Sequence, residues 1–232
     1  MFPLTHLYVN QIILGNLSPE MALGSVLPDL LTSNGVDWAL AHRMKLHYHL
    51  SQDIIYGDAL HGSELPGLDY YTDKNYKHDQ GYAFYKAKYI KENLIHLGIP
   101  EQDALWRGHN IIEMAVEVNI RNRTDTSYQT LLQMLGHRDL LRSIEQNLSL
   151  HLEQPINLEK GIALFAAQDG QQKKLADYFT RKINSHHGLL LLPQNIEHLI
   201  DQAQTIIERD YMSFLEICIQ KMTDHLKKIR QP

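Results

Sequence analysis

Residues 108–117 read Gly-His-Asn-Ile-Ile-Glu-Met-Ala-Val-Glu, and this stretch decides the fold class. Its acidic positions stand among apolar residues at helical spacing, which predicts a buried helix. His109 and Glu113 are four positions apart, so both side chains leave one face of that helix and can bind one ion. Glu117 continues the line one turn further. Carboxylates among so many apolar residues need a compensating charge, so we favour metal ligands over a solvated helix face for His109 and Glu113. The sequence leaves open whether Glu117 belongs to the site.

Helical periodicity extends to both sides of this stretch, and no sustained alternation with period two predicts a strand. Before it, we predict helices over residues 4–14, 21–27, 36–46, 50–60 and 79–97, with a loop rich in Gly, Pro and Asp over 62–77. After it, helices are predicted over 127–135, 139–150, 158–167, 171–183 and 194–230. The sequence therefore predicts an all-α, single-domain multi-helix bundle over residues 1–232, with a metal site in its N-terminal half.

The composition argues against several classes of protein. The net charge of −5 gives no electrostatic reason to expect binding to nucleic acid or anionic lipid. A single cysteine, Cys218, allows neither an intramolecular disulfide nor a thiolate zinc site. No run approaches the roughly 18 apolar residues of a transmembrane helix, and no signal-peptide pattern is present. We expect a cytoplasmic protein without a transmembrane segment, and the sequence leaves its oligomeric state open.

Six further candidate ligands precede the helix at 108–117. All are imidazoles or carboxylates, the donors that zinc and manganese accept in proteins. They are His6, Asp29, His61, Asp73, His78 and Asp79. Together with His109 and Glu113 they make eight ligands, which suit two ions better than one.

Some of these residues also have a plainer interpretation. His6 lies on an apolar helix face, where a lone histidine is commonly a core residue. Asp29 follows a proline and would then cap the next segment through an Asx-turn. The adjacent pair His78-Asp79 arises often by chance in a chain with 14 histidines. His47 and His49 are two positions apart and would point to different helix faces, so we interpret them as lying behind the site or on the surface.

The motifs resemble those of a known group of enzymes. The chain has Thr5-His6, then Gly24-Ser25-Val26-Leu27-Pro28-Asp29, a loop histidine, and Gly108-His109-x3-Glu113. Over roughly residues 4–117 this order is similar to the zinc-dependent phospholipase C and single-strand nuclease group. The resemblance implies an all-α fold, a cluster of up to three metal ions and cleavage of phosphodiester bonds.

A second resemblance is to bacterial acyl-carrier-protein phosphodiesterase, a cytoplasmic hydrolase related to the HD-type metal phosphohydrolases. Leu4-Thr5-His6 and residues 24–29 are similar to its opening motifs. His61 and Thr72-Asp73 are similar to its later His and Thr-Asp, with extra residues between them here. Both resemblances imply metal-assisted hydrolysis of a phosphodiester.

These observations predict a metal-dependent phosphoric-ester hydrolase with two or more divalent ions. Zinc is the expected metal, with manganese or iron as alternatives. Asp29 or Asp79 would act as the catalytic base, because a carboxylate not used fully as a ligand can accept a proton from water. The substrate would be a small phosphodiester or a phospholipid-like molecule. Two alternatives stay open, a non-enzymatic metal-binding protein and a helical partner-binding module.

Overall fold

A computed structural model of the chain describes residues 2–43 and 50–229, in which thirteen α-helices and one π-helical turn form the regular structure. The α-helices are Pro3–Leu14 (α1), Pro19–Ser33 (α2), Trp38–Arg43 (α3), Gln52–His61 (α4), Tyr82–Ala87 (α5), Lys91–His96 (α6), Glu101–Arg123 (α7), Thr126–Met134 (α8), Arg138–Leu152 (α9), Leu158–Gln168 (α10), Gln172–His187 (α11), Pro193–Ile207 (α12) and Tyr211–Ile229 (α13). The π-helical turn is Tyr70–Lys74. Within the described ranges there is no strand, so the prediction of an all-α multi-helix fold is confirmed.

Helix α7 lies at the centre of the fold. Every residue from Ile111 to Val118 is buried, as the apolar run predicts. The helix packs against α1, α5, α6, α11 and α12. Helix α1 contributes Val9 to the core around α7, and Leu4 and Leu7 to a second core formed with α2. Helices α1 and α7 therefore place their polar residues between two apolar cores.

Helices α2 and α4 approach each other so closely that their backbones touch. A Cβ on Gly24 would overlap with the carbonyl oxygen of Ile54, and a Cβ on Gly57 would overlap with that of Met21. Only glycine permits this approach at either position. The contact brings His61, the last residue of α4, next to the middle of α2.

Helix α2 is longer than the sequence predicts. We expected it to end near Pro28, but it continues through that proline to Ser33. The proline removes one backbone hydrogen bond, which costs about 3 kcal/mol in a helix interior. Leu27, Leu30 and Leu31 around it are completely buried, and their burial offsets this cost. Asp29 therefore projects from inside a helix and does not form an Asx-turn.

Two long predicted helices are each divided in the structure. The region 79–97 forms α5 and α6 with a turn between them, and the region 194–230 forms α12 and α13. At the second break, the Asp210 carboxylate accepts hydrogen bonds from Tyr82 Oη at 2.8 Å and from Lys86 Nζ at 2.6 Å. This junction ties the C-terminal helices to α5.

Helices that could cross a lipid bilayer are not found between residues 2 and 43 or between 50 and 229. None of the helices there combines the necessary length with the necessary apolar character.

Candidate metal centre

Two histidines and an aspartate from three segments meet in the interior. His6 comes from α1, His61 ends α4, and Asp69 immediately precedes the π-helical turn. Both imidazoles are completely buried and Asp69 is 3% exposed. The two rings stack with their centroids 3.6 Å apart and their planes 7° apart. The pair of imidazoles thus presents its Nε2 atoms to one carboxylate.

The Asp69 carboxylate lies between three imidazole nitrogens. Its Oδ1 is 3.3 Å from His6 Nε2, and its Oδ2 is 3.4 Å from His61 Nε2 and 3.7 Å from His42 Nε2. Asp29 Oδ1 lies 3.8 Å from His42 Nε2 and 4.0 Å from His61 Nε2. Ligand atoms bound tetrahedrally at ~2.0–2.1 Å from zinc are roughly 3.3 Å apart, and wider angles give larger separations. The observed distances match donors that share an ion.

Backbone carbonyls orient two of these imidazoles. His61 Nδ1 lies 2.8 Å from the Ser25 carbonyl oxygen, and His42 Nδ1 lies 3.0 Å from the Trp38 carbonyl oxygen. An Nδ1–H donated to a carbonyl leaves the Nε2 lone pair facing the centre, as metal-binding histidines require. Among the described residues, His6 Nδ1 has no hydrogen-bond partner, and His6 Nε2 and His61 Nε2 face the Asp69 carboxylate at 3.3 Å and 3.4 Å. Such buried polar atoms are costly unless a further ligand satisfies them, so these residues fit a metal ion.

A second group of donors consists of Asp73, His109 and Glu113. His109 Nε2 is 2.8 Å from Asp73 Oδ1 and 3.2 Å from Glu113 Oε1. The α7 spacing places His109 and Glu113 on one face, and the π-helical turn brings Asp73 to them. The rings of Phe84 and Trp106 pack against the His109 ring with centroids 4.3 Å and 5.1 Å away. This packing restricts the orientation of the imidazole.

The two groups differ in electrostatics. Burial, followed by the nearby His61, lowers the pKa of His6 to about 4, so its imidazole is neutral at pH 7. Burial also opposes the charge of His109, but Glu113 and Asp73 outweigh it and raise its pKa to about 10. Burial likewise opposes the charge on Asp69, yet His61 and His6 help to hold its pKa well below its usual value. His6 is therefore neutral and faces ionised carboxylates, the mixture that binds divalent ions, whereas His109 would have to release a proton before it could bind one.

Both groups open into one cavity of about 730 Å³. The donors that line it are Asp29, His42, Asp69, Asp73, His109 and Glu113. Since a pocket of several hundred Å³ accommodates a small organic molecule, a ligand in this cavity can reach both groups at once.

The structure brings together six of the eight ligands that the sequence predicts. These are His6, Asp29, His61, Asp73, His109 and Glu113. It does not bring His78 and Asp79 to them, because both side chains are exposed. Both residues have positive φ, 52° and 57°, in a tight turn that the bridge between Lys77 and Gln80 closes. This turn directs the pair away from the core.

Glu117, whose membership of the site the sequence leaves open, binds a helix end and not the candidate metal ligands. Its Oε1 accepts a hydrogen bond from Leu4 N, and its Oε2 accepts hydrogen bonds from Thr5 N and Thr5 Oγ1. The carboxylate therefore caps the first turn of α1 and does not join the groups of metal donors found among the described residues.

Sequence reasoning missed His42 and Asp69. His42 is four positions after Trp38, within a short helix whose pattern is apolar on most sides. Asp69 lies in the segment that its Gly, Pro and Asp content marks as a loop, and its spacing of four from Asp73 was the available signal. His47 and His49 lie outside the described residues.

Comparison of the chain with protein families, with curated proteins and with solved structures finds no match. The two family resemblances of the sequence motifs therefore stay predictions. The function has to be argued from the geometry of the centre and of the cavity above it.

Proposed function

We propose that the chain is a metal-dependent phosphoric-ester hydrolase. Its metal ligands form two groups. The first is His6, His42, His61, Asp29 and Asp69, and the second is Asp73, His109 and Glu113. The observation that carries the proposal is the position of Asp69, whose two carboxylate oxygens face the Nε2 atoms of three histidines at 3.3 to 3.7 Å. A structural aspartate in a helical core needs no such arrangement.

Two ions fit the donor set better than one. The two groups supply eight donors, counting His42 and Asp69 and leaving out His78 and Asp79, and six of the eight line the same cavity. Paired ions ~3.5–4 Å apart suit the displacement of an ester oxygen at phosphorus. When bound, such ions supply positive charge to the phosphoryl oxygens and lower the pKa of water towards ~7. The imidazole and carboxylate donors suit zinc, with manganese or iron as alternatives.

Asp29 is the residue that fits a catalytic base. It lines the cavity, its Oδ2 has no hydrogen-bond partner among the described residues, and its side chain is 21% exposed. Burial opposes its charge, but His61 and His42 lower its pKa, so the carboxylate is ionised at neutral pH. It can therefore accept the proton of an attacking water. Asp79, the other predicted base, is exposed and does not line the cavity, so the proposal leaves it out.

Hydrolysis of bis-p-nitrophenyl phosphate tests the activity. We expect turnover by protein loaded with zinc or manganese, loss of turnover with a chelator, and recovery when metal is returned. Asp29→Asn keeps one oxygen that can bind metal but removes the basic carboxylate, so it should lower kcat at least about a hundredfold while metal stays bound, since general bases contribute ~10²–10⁴ in rate. Protein that binds metal tightly but never hydrolyses the ester would contradict the proposal and favour the non-enzymatic metal-binding alternative.

A further inference from the structure

Basic side chains that are not candidate metal ligands also line the cavity. Arg107, one turn before Asn110 on α7, lines the cavity and is 8% exposed. Its Nε donates to His187 Nε2 at 3.3 Å, so the two Nη groups are left for another partner. In the described part of the chain, no carboxylate forms an ion pair with Arg107. Burial lowers the pKa of Arg107, and Asp103 one turn earlier opposes this shift without forming an ion pair with it. A guanidinium removed from water without a direct ion pair is costly.

A second cation lies on the same cavity wall. Lys182 on α11 lines the cavity, and no ion pair of its Nζ is found within residues 2–43 and 50–229. Partial removal from water, and next the like charge of Arg107, lower its pKa. Arg181 beside it also lines the cavity and is exposed like Lys182, but it forms an ion pair with Asp177 at 2.9 Å. Buried Arg107 and exposed Lys182 thus place two positive charges near each other on this cavity, and neither forms an ion pair within the described residues.

A buried amide lines the same cavity. Gln168, the last residue of α10, lines the cavity and is 6% exposed. Its Nε2 is buried and has no hydrogen-bond partner among the described residues. A buried donor of this kind is normally satisfied by a partner, so its position points to a ligand with acceptor oxygens.

We infer that the substrate carries a phosphomonoester in addition to the scissile phosphodiester, and that Arg107, Lys182 and Gln168 bind this second phosphate. Two positive charges balance a phosphomonoester, which carries −1.5 to −2 charges near pH 7. The two Nη groups of Arg107 match the paired oxygens of a phosphate, and the amide donates to a third oxygen. A zwitterionic headgroup ending in a quaternary ammonium would instead bring a positive charge next to these cations. The inference rests on the proposed function.

Two chromogenic substrates that differ in one phosphate test this inference. Thymidine 5′-(p-nitrophenyl phosphate) has only the diester, and its 3′-phosphate derivative has the second anionic group. We expect wild-type protein to favour the derivative about tenfold to a hundredfold in kcat/KM, the range that a charge-assisted contact provides. Lys182→Gln should reduce this ratio about tenfold. Lys173→Gln, which changes an exposed lysine of the same helix outside the cavity, should preserve it.

Arg107→Lys serves as a second variant, because it keeps the charge and removes the planar fork. It should also lower the ratio, while circular dichroism shows an unchanged helical content. If wild-type protein hydrolyses bis-p-nitrophenyl phosphate but treats the two thymidine substrates alike, the inference is wrong and the proposed function stands. If metal-loaded protein hydrolyses none of the three esters, the proposed function is wrong and the inference falls with it.

Discussion

The carboxylate of Glu117 accepts hydrogen bonds from Thr5 N at 2.8 Å and from Thr5 Oγ1 at 2.7 Å, so a residue inside α7 fixes the first turn of α1. Leu4 N donates to the other oxygen at 2.8 Å. The positive end of the α1 dipole also favours the carboxylate. Because His6 follows Thr5 directly, this contact helps to set where the His6 imidazole lies in the candidate metal centre.

Glu117→Gln should weaken both the fold and the metal site. The neutral amide has one acceptor oxygen, and its NH₂ group would face a backbone N–H. We expect a loss of about 1–3 kcal/mol in the free energy of unfolding, measured with urea, because a buried donor loses its partner. Metal affinity should fall at the same time. Glu216→Gln changes an exposed helical glutamate and should alter neither. Unchanged stability of Glu117→Gln would show that the cap does not hold α1.

Gly57→Ala tests the backbone contact between α2 and α4. The added Cβ would overlap with the Met21 carbonyl oxygen, so the helices must separate and carry His61 away from Asp69. Overpacking of this kind costs about 1–3 kcal/mol, and we expect reduced metal content as well. Gly62→Ala is the matched control, because a Cβ there would be 3.7 Å from its nearest neighbour. Equal metal content in both variants would argue against a role for the contact.

The raised pKa of the buried Asp58 carboxyl predicts that the stability of the fold depends on pH. Burial raises its pKa to about 7, although His61 and His42 oppose the shift, whereas the ordinary value is 3.8. Between these values the folded chain binds a proton that the unfolded chain has lost, so stability falls as pH rises from about 4 to about 7 and this contribution levels off above that. The loss is at most about 4 kcal/mol, since one pKa unit corresponds to about 1.4 kcal/mol.

Urea unfolding at pH 5 and pH 8 measures this effect. Asp58→Asn, which has no charge to lose, should show a smaller fall in stability between the two pH values than the wild type. Asp139→Asn, at an exposed position, should behave like the wild type. A fall of the same size in Asp58→Asn and in the wild type would mean that Asp58 is ionised in the folded chain throughout.

The sequence predicts where helices form in this fold better than it predicts where they end or divide. The apolar run at 111–118 predicts α7 because period and burial agree there. The division of the region 194–230 depends on Asp210, whose carboxylate binds Tyr82 and Lys86 more than a hundred positions earlier in the chain. Such long-range contacts leave no periodic signal. The same applies to Pro28, where burial of the surrounding leucines outweighs a local helix breaker.

In the candidate site, too, local spacing is predictable from the sequence and long-range packing is not. The pair His109 and Glu113 is predictable because four residues make one helical turn. Asp69 is not, because its position depends on how the segment after α4 packs against α1, and spacing carries no information on that. His78 and Asp79 have the right chemistry, but their turn faces solvent. The residue types therefore indicate what kind of site to expect, and the packing of the helices determines which of these residues lie in it.

Metal content per chain tests the central claim most directly. After loading with zinc and removal of excess metal, wild-type protein should hold about two ions per chain, as the paired donor groups imply. Asp69→Asn should lose at least one of them, because its carboxylate faces three histidines. His78→Ala, which removes an exposed histidine, should keep both. Wild-type metal content in Asp69→Asn, together with a loss in His78→Ala, would contradict the site described above.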